Sequence, residues 1–151
     1  MDLVYLDSSV IVELLVGSKE RRQRIKSLIS GKRRFTSIIS FNEILYVVLA
    51  ISAERRYGSR SRNAVRKFVR DYHDLYVSLY KNVHRIYLAL DLNILHHPKV
   101  ETLNELIKKY RLLPRDLIHI ATAIENNCTA FLTLDDDFKQ IAEEIDIIVV
   151  E

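Results

Sequence analysis

A chain of 151 residues that is 48% hydrophobic and 28% charged has ordinary globular composition, and it is long enough to bury about two-thirds of its unfolded surface, which excludes a disordered polymer. Its single cysteine, Cys128, excludes an internal disulfide and a cysteine-built zinc site and suits a reducing compartment; no apolar run reaches the roughly 18 residues of a membrane span. The net charge of +3 conceals a division, because residues 1–70 carry 15 Lys+Arg against 6 Asp+Glu whereas residues 71–151 carry 8 against 14. A basic half suits a polyanionic partner, and an acidic half can gather carboxylates for a purpose.

The opening MDLVYLDSSVIVELL has acids at Asp2, Asp7 and Glu13 and no basic leader. It does not read as a secretory signal, so the expectation is a cytoplasmic protein. Leu3–Leu6 is a short apolar run ending at Asp7 and reads as a buried strand. Val10–Val16 follows as a helix, with Ser8 or Ser9 as its cap. Lys19–Ser30 reads as a very basic helix, Arg34–Ser37 as a strand and Ser40–Arg56 as a helix that Gly58-Ser59 breaks. From Arg62 to about Leu90 apolar residues recur at helical spacing, over a stretch long enough to hide a break. Leu92–His96 is a weak strand closed by Pro98, and Val100–Tyr110 is a helix. Pro114 suits a first helical position and opens a helix to about Asn126. Ala130–Thr133 and Ile145–Val150 are short apolar strands. Strands alternating with helices predict an α/β fold with a mainly parallel sheet, whose sites form beyond the carboxyl ends of the strands.

Four carboxylates occupy such places. Asp7 follows the first strand, and Glu43 lies at the start of the helix after the second. Asp116 is in the first turn of the Pro114 helix, and Asp135 follows Phe131–Thr133 with Asp136 and Asp137 beside it. Each has an ordinary structural use. Asp7 suits a turn, Ser40-Phe41-Asn42-Glu43 a capping box, Asp116 the positive end of its helix, and Asp135 or Asp137 an N-cap. Convergence changes the balance. Two unit charges 4 Å apart at an effective dielectric near 20 repel by about 4 kcal/mol, so a cleft that collects several requires a cation. Oxygen donors suit Mg2+ or Mn2+, which take phosphate as a further ligand. With the basic half, the chemistry indicated is metal-assisted hydrolysis of a phosphodiester.

The segments VYLDSSVIVELL, SIISFNEIL, LPRDLIHIATAIENN and FLTLDDDF, in that order, resemble successive blocks of the PIN-domain ribonucleases, specifically the toxin-type (VapC-like) branch of toxin–antitoxin pairs. The resemblance implies a roughly five-stranded parallel sheet between helices, a three-layer α/β/α sandwich, with residues 1–151 forming one nuclease domain. It implies an endoribonuclease dependent on Mg2+ or Mn2+, a homodimer and a small antitoxin partner. It assigns metal binding to Asp7, Glu43 and Asp116, with Asp135 as a fourth acid and Asp137 as an auxiliary. Ser8 and Thr133 become supporting polar positions. Residues 58–98 carry no family signature. Arg115 departs from the pattern, placing a cation beside Asp116 that either reaches substrate phosphate or partly neutralises that acid.

Other features have quieter readings. The basic residues from Lys19 to Arg34 and from Arg55 to Arg70 suit RNA phosphates as a patch, although each alone fits a solvated face. Tyr72, Tyr76, Tyr80 and Tyr87 read as packing, and His119 as a packed residue rather than a ligand. His96-His97 reads as a surface loop and Cys128 as a small hydrophobe. Rival functions are an RNA-processing or decay nuclease without an antitoxin, and a non-catalytic RNA- or protein-binding module. A receiver domain is disfavoured because the third strand runs into His96-His97-Pro98 instead of an acid. A phosphatase with Asp-x-Asp after its first strand is disfavoured because Asp7-Ser8-Ser9 lacks the second acid.

Overall fold

Apolar runs of four or five residues are too short for helices and pair as strands. β1 (Leu3–Leu6), β2 (Arg33–Ser37), β3 (Leu92–Leu95), β4 (Ala130–Thr133) and β5 (Asp146–Val149) form one parallel sheet in the order β3-β2-β1-β4-β5 in the computed structural model, which describes residues 2–151. The connecting helices are α1 (Ser8–Val16), α2 (Lys19–Ile29), α3 (Ile38–Tyr57), α4 (Arg62–Asp71), α5 (His73–Ala89), α6 (Val100–Lys109) and α7 (Pro114–Glu125). A 3-10 helix, Asp136–Ile141, joins β4 to β5. Packing divides the chain into two compact units, one comprising the chain through Ser40 and Leu92–Glu151, the other Phe41–Asp91.

The first unit holds the whole sheet. The chain leaves β1 toward β2 on one side and later crosses back from β3 to β4 on the other. Right-handed crossovers then place α1 and α2 on one face and α6 and α7 on the opposite face, giving the expected three layers. β4 and all but the first residue of β1 are buried, which is why both read as unbroken apolar runs. Tyr5 stands in register with Phe35 and Phe131 and stacks on Phe131 at 5.1 Å, and Phe138 closes on Phe131 at 4.8 Å. Leu117, Ile120 and Ile141 complete this core. Because β1 and β4 are neighbours whose following connections run in opposite directions, a crevice opens beyond their carboxyl ends.

The second unit is helical. Leu49, Ala50 and Ala53 of α3 pack with Ala64, Val65 and Phe68 of α4, joined by Tyr72 and Tyr76. The tyrosine stripe is therefore largely packing, although Tyr80 remains 44% exposed. Phe41 meets the rings of Tyr80 and Tyr87 edge-on, at 5.7 and 5.1 Å. Arg62, Arg66, Lys67 and Arg70 face solvent from the outer side of α4. Gly58 ends α3 with φ +70°, in the left-handed region that favours glycine.

Two local expectations need correction, and a third point is located by the structure. Asp7, not Ser8 or Ser9, caps α1, and the helix starts at Ser8. α3 begins at Ile38, so Ser40 is already helical and forms no capping box with Glu43; the Ser37 hydroxyl instead accepts the Ser40 N–H at 3.3 Å. The break hidden between Arg62 and Leu90 falls at Tyr72, with φ −128° and ψ 49°. Among the described residues no helix is long and apolar enough to cross a membrane.

Candidate metal centre

Asp7 begins where β1 ends. Its N–H continues the sheet by donating to the Leu132 carbonyl at 2.9 Å, so the β1–β4 pairing itself sets its position. The side chain is only 6% exposed, yet it is held by hydroxyls and an amide. Oδ1 accepts the Ser8 N–H at 2.8 Å and the Ser8 hydroxyl at 3.4 Å. Oδ2 accepts the hydroxyls of Ser9 at 2.7 Å and Thr133 at 3.0 Å. Both latter hydroxyls also accept backbone N–H groups: Ser9 from Leu134 at 3.1 Å and Thr133 from Asp135 at 3.1 Å. With an acceptor role already filled, each commits its one proton to Asp7. This lattice ties the ends of β1 and β4 together around a carboxylate that can only accept.

Asp116 lies in the first turn of α7, partly buried. Pro114 at the start of that helix fixes the turn. Burial raises the Asp116 pKa above the usual carboxylate range, and the negative charge of Asp7 adds to it, as does that of Asp135; His119 and Arg115 oppose the rise. Asp116 therefore feels the charges of both Asp7 and Asp135 from its place in the first turn of α7.

Asp135 is exposed and does cap the 3-10 helix, accepting the Asp137 N–H at 2.9 Å. Asp137 is exposed in the first turn of that helix, and neighbouring Asp136 pairs with Lys139. Thr133 is fully buried, and Ser8 is half-buried against Asp7. Arg115 is exposed, and its charge acts on Asp116. Glu43 stands partly buried six residues into α3, within the second unit. Of the four expected acids, the first unit thus gathers three.

Sequence reasoning missed the inner shell. The sequence pattern marks Ser9 only as a cap and Tyr5 only as a strand residue, while His119 is packed, as its place in the helix suggests, and has polar partners besides. His119 is 1% exposed, and its Nδ1 lies 2.8 Å from the Tyr5 hydroxyl and 3.4 Å from that of Ser37. One of its ring nitrogens comes within 4.8 Å of an Asp7 carboxylate oxygen. A tyrosine inside a buried strand was the available signal, because a buried phenol needs a polar partner. His96 and His97 are exposed, as expected of a loop, and Cys128 is buried.

A doubly wound parallel α/β protein with a hydroxyl-braced carboxylate at its switch point, and further acids beside it, is the class that this fold and site define. The chain belongs to the PIN domain family, whose profile matches residues 4–144. It is similar to two proteins of Methanocaldococcus jannaschii. Ribonuclease VapC2 is 27% identical over 143 residues, covering 91% of this chain and 88% of the relative. Ribonuclease VapC6 is 29% identical over 142 residues, covering 91% and 92%. Among solved structures, the fold matches a chain from the crystal structure of Rickettsia felis VapBC2 bound to a DNA fragment from its promoter. The TM-score is 0.60 and the identity 16%, with 99% of each chain covered.

Proposed function

We propose that residues 1–151 act as one PIN-like nuclease domain, an endoribonuclease dependent on Mg2+ or Mn2+, and that the protein is the toxin of a toxin–antitoxin pair. In this reading it works in the cytoplasm as a homodimer and is restrained by a small antitoxin. The observation that carries the chemistry is Asp7, a carboxylate only 6% exposed at the end of β1, held by the hydroxyls of Ser9 and Thr133 and the Ser8 N–H. Asp116 stands close enough for its carboxyl to be raised by burial and by the charges of Asp7 and Asp135. The ribonuclease names of both similar archaeal proteins support RNA as the substrate. The VapBC2 complex supports an antitoxin.

The donor set fits a hard ion, since carboxylate oxygens without thiolates suit Mg2+ or Mn2+. Asp7, Glu43, Asp116 and Asp135 would hold it, with Asp137 as an auxiliary. A cation so bound supplies a lowered pKa for water and neutralises charge developing on the phosphate. The protein's own part is orientation. Ser8, Ser9 and Thr133 keep both oxygens of Asp7 in one setting, so no reorganisation is needed as the reaction proceeds. Glu43 enters this set through its motif and its place early in α3. Arg115, exposed one residue before Asp116, suits a substrate phosphate oxygen. The expected products carry a 5′-phosphate and a 3′-hydroxyl.

The test is incubation with structured RNAs in Mg2+, Mn2+ or EDTA, with the cut ends mapped. Cleavage is expected only with the metal, and Asp7→Asn is expected to lower it by at least about a hundredfold while the circular dichroism spectrum is unchanged. A folded Asp7→Asn protein that cuts as well as the parent would refute the assignment.

A further inference from the structure

The segment from Glu54 to Asp71, which covers the end of α3, the following turn and all of α4, holds seven cations and two acids. Both acids are taken. Glu54 accepts the Arg60 Nε–H at 2.7 Å and pairs with a second nitrogen of the same guanidinium. Asp71 accepts the Arg70 Nε–H at 3.3 Å and the Tyr57 hydroxyl at 3.1 Å. Arg55, Arg56, Arg62, Arg66 and Lys67 remain, and all five are exposed. Among the described residues none of the five pairs with a carboxylate.

α4 gains nothing from this as a helix. Arg62, Arg66 and Arg70 succeed one another at intervals of four residues, a spacing at which like charges repel. Arg62 also stands in the first turn, where the helix's own positive end disfavours a cation. A surface kept only for solubility mixes the two signs and avoids both costs.

Two of the five cations are, in addition, held in place. Lys67 Nζ lies over the Tyr57 ring, 4.6 Å from its centroid, and the Arg56 guanidinium over the Tyr72 ring at 4.8 Å. The two rings are neighbours, with centroids 6.4 Å apart, and Tyr72 stacks on the buried Phe68 at 5.3 Å. Long cationic side chains lose much rotamer freedom when they bind. Here part of that loss is met on folding, which leaves two charges preorganised for an extended anion.

We propose that this face, with Arg55, Arg56, Arg62, Arg66 and Lys67 as its cations and Tyr57 and Tyr72 steadying two of them, docks the phosphate backbone of the RNA. The inference rests on RNA being the substrate. Phosphate contacts position a strand without reading its sequence, so the face adds affinity for any RNA. It lies wholly in the second unit, whereas Asp7, Asp116 and Asp135 belong to the first, so its loss should raise KM and leave kcat as it was.

Fluorescence anisotropy of a labelled mixed-sequence RNA with the full chain in EDTA measures docking without cleavage. Arg62→Gln, Arg66→Gln and Lys67→Gln together should weaken binding by at least about tenfold. Removing as many charges from α2, by Lys19→Gln, Arg24→Gln and Lys26→Gln, should cost clearly less. Tyr57→Leu keeps every charge and should weaken binding by about threefold, and Tyr57→Phe, which keeps the ring, should recover most of that. With Mn2+ present, the α4 triple variant should raise KM for RNA cleavage by the factor lost in Kd. An unchanged Kd in the α4 triple variant overturns the proposal. So does an α2 triple variant that loses as much, because net charge alone would then account for binding. Tyr57→Phe being no better than Tyr57→Leu overturns the steadying role. A weakened Kd with an unchanged KM overturns RNA substrate as the occupant and leaves the face to another polyanion, such as DNA. If the parent cuts no RNA in either metal while binding still depends on the three α4 cations, the nuclease reading falls and the docking face stands.

Discussion

Replacing Thr133 with Val changes shape hardly at all and removes one hydroxyl. That hydroxyl, fully buried, donates to Asp7 Oδ2 at 3.0 Å and accepts the Asp135 N–H at 3.1 Å. A hydrogen bond to a charged group is worth about 1.5–3 kcal/mol, and Asp7, at 6% exposure, has little water to replace it. The Asp135 N–H adds little to the loss, because that residue is exposed and water can serve it. The expected cost is about 2 kcal/mol, which for a chain of this size lowers Tm by about 4–8 °C. Thermal denaturation in EDTA reads this directly. Mn2+ affinity should fall as well, since Oδ2 would then be steered by Ser9 alone. A Thr133→Val protein with parental Tm and parental Mn2+ affinity would show that the lattice around Asp7 holds nothing in place.

Further expectations follow from the same geometry. Asp116 binds its proton more tightly folded than unfolded, so its contribution to stability is complete below the unfolded value and is lost as pH rises through the higher folded value. In EDTA, Asp116→Asn should therefore melt above the parent at pH 7, with the gap closing toward pH 3; a variant that melts lower at pH 7 contradicts the repulsion argument. Mn2+ at 100 times its Kd should add about 2.7 kcal/mol, or about 5–10 °C, to the parent and much less to Asp116→Asn. Arg62, Arg66 and Lys67 line the outer face of α4, and if all three meet phosphate, their joint replacement by Ala should reduce the salt slope of RNA binding by about 2. An unchanged slope would assign them to solvent. Burial pushes the Cys128 thiol up to about 11, so about one molecule in a thousand is thiolate at pH 8. The native protein should resist a disulfide reagent under conditions in which the unfolded chain reacts fully.

Sheet and site were legible in the sequence to different depths. β1 and β4 stood out because strands buried on both faces are continuous apolar runs, and the acids that follow them inherit their positions from the strand ends. β3 was faint because it is an edge strand whose residues are half-exposed or exposed. The start of α3 was misplaced because Ile38 and Ile39 are β-branched and extend the strand pattern of Arg33–Ser37. The break at Tyr72 was invisible because the helical period is the same on both sides. Asp7 and its two serines rank about equally as caps, and only the β1–β4 pairing decides among them. Tyr5 and His119 are 114 residues apart, and no local pattern announces a hydrogen bond across such a span.

The account stands on one location for the cation. Anomalous diffraction from crystals soaked in Mn2+ measures it: the expected peak lies among the carboxylates of Asp7, Asp116 and Asp135, and is absent from Asp7→Asn crystals grown the same way. A Mn2+ peak that bypasses these three acids, or one that persists undiminished after Asp7→Asn, would contradict it.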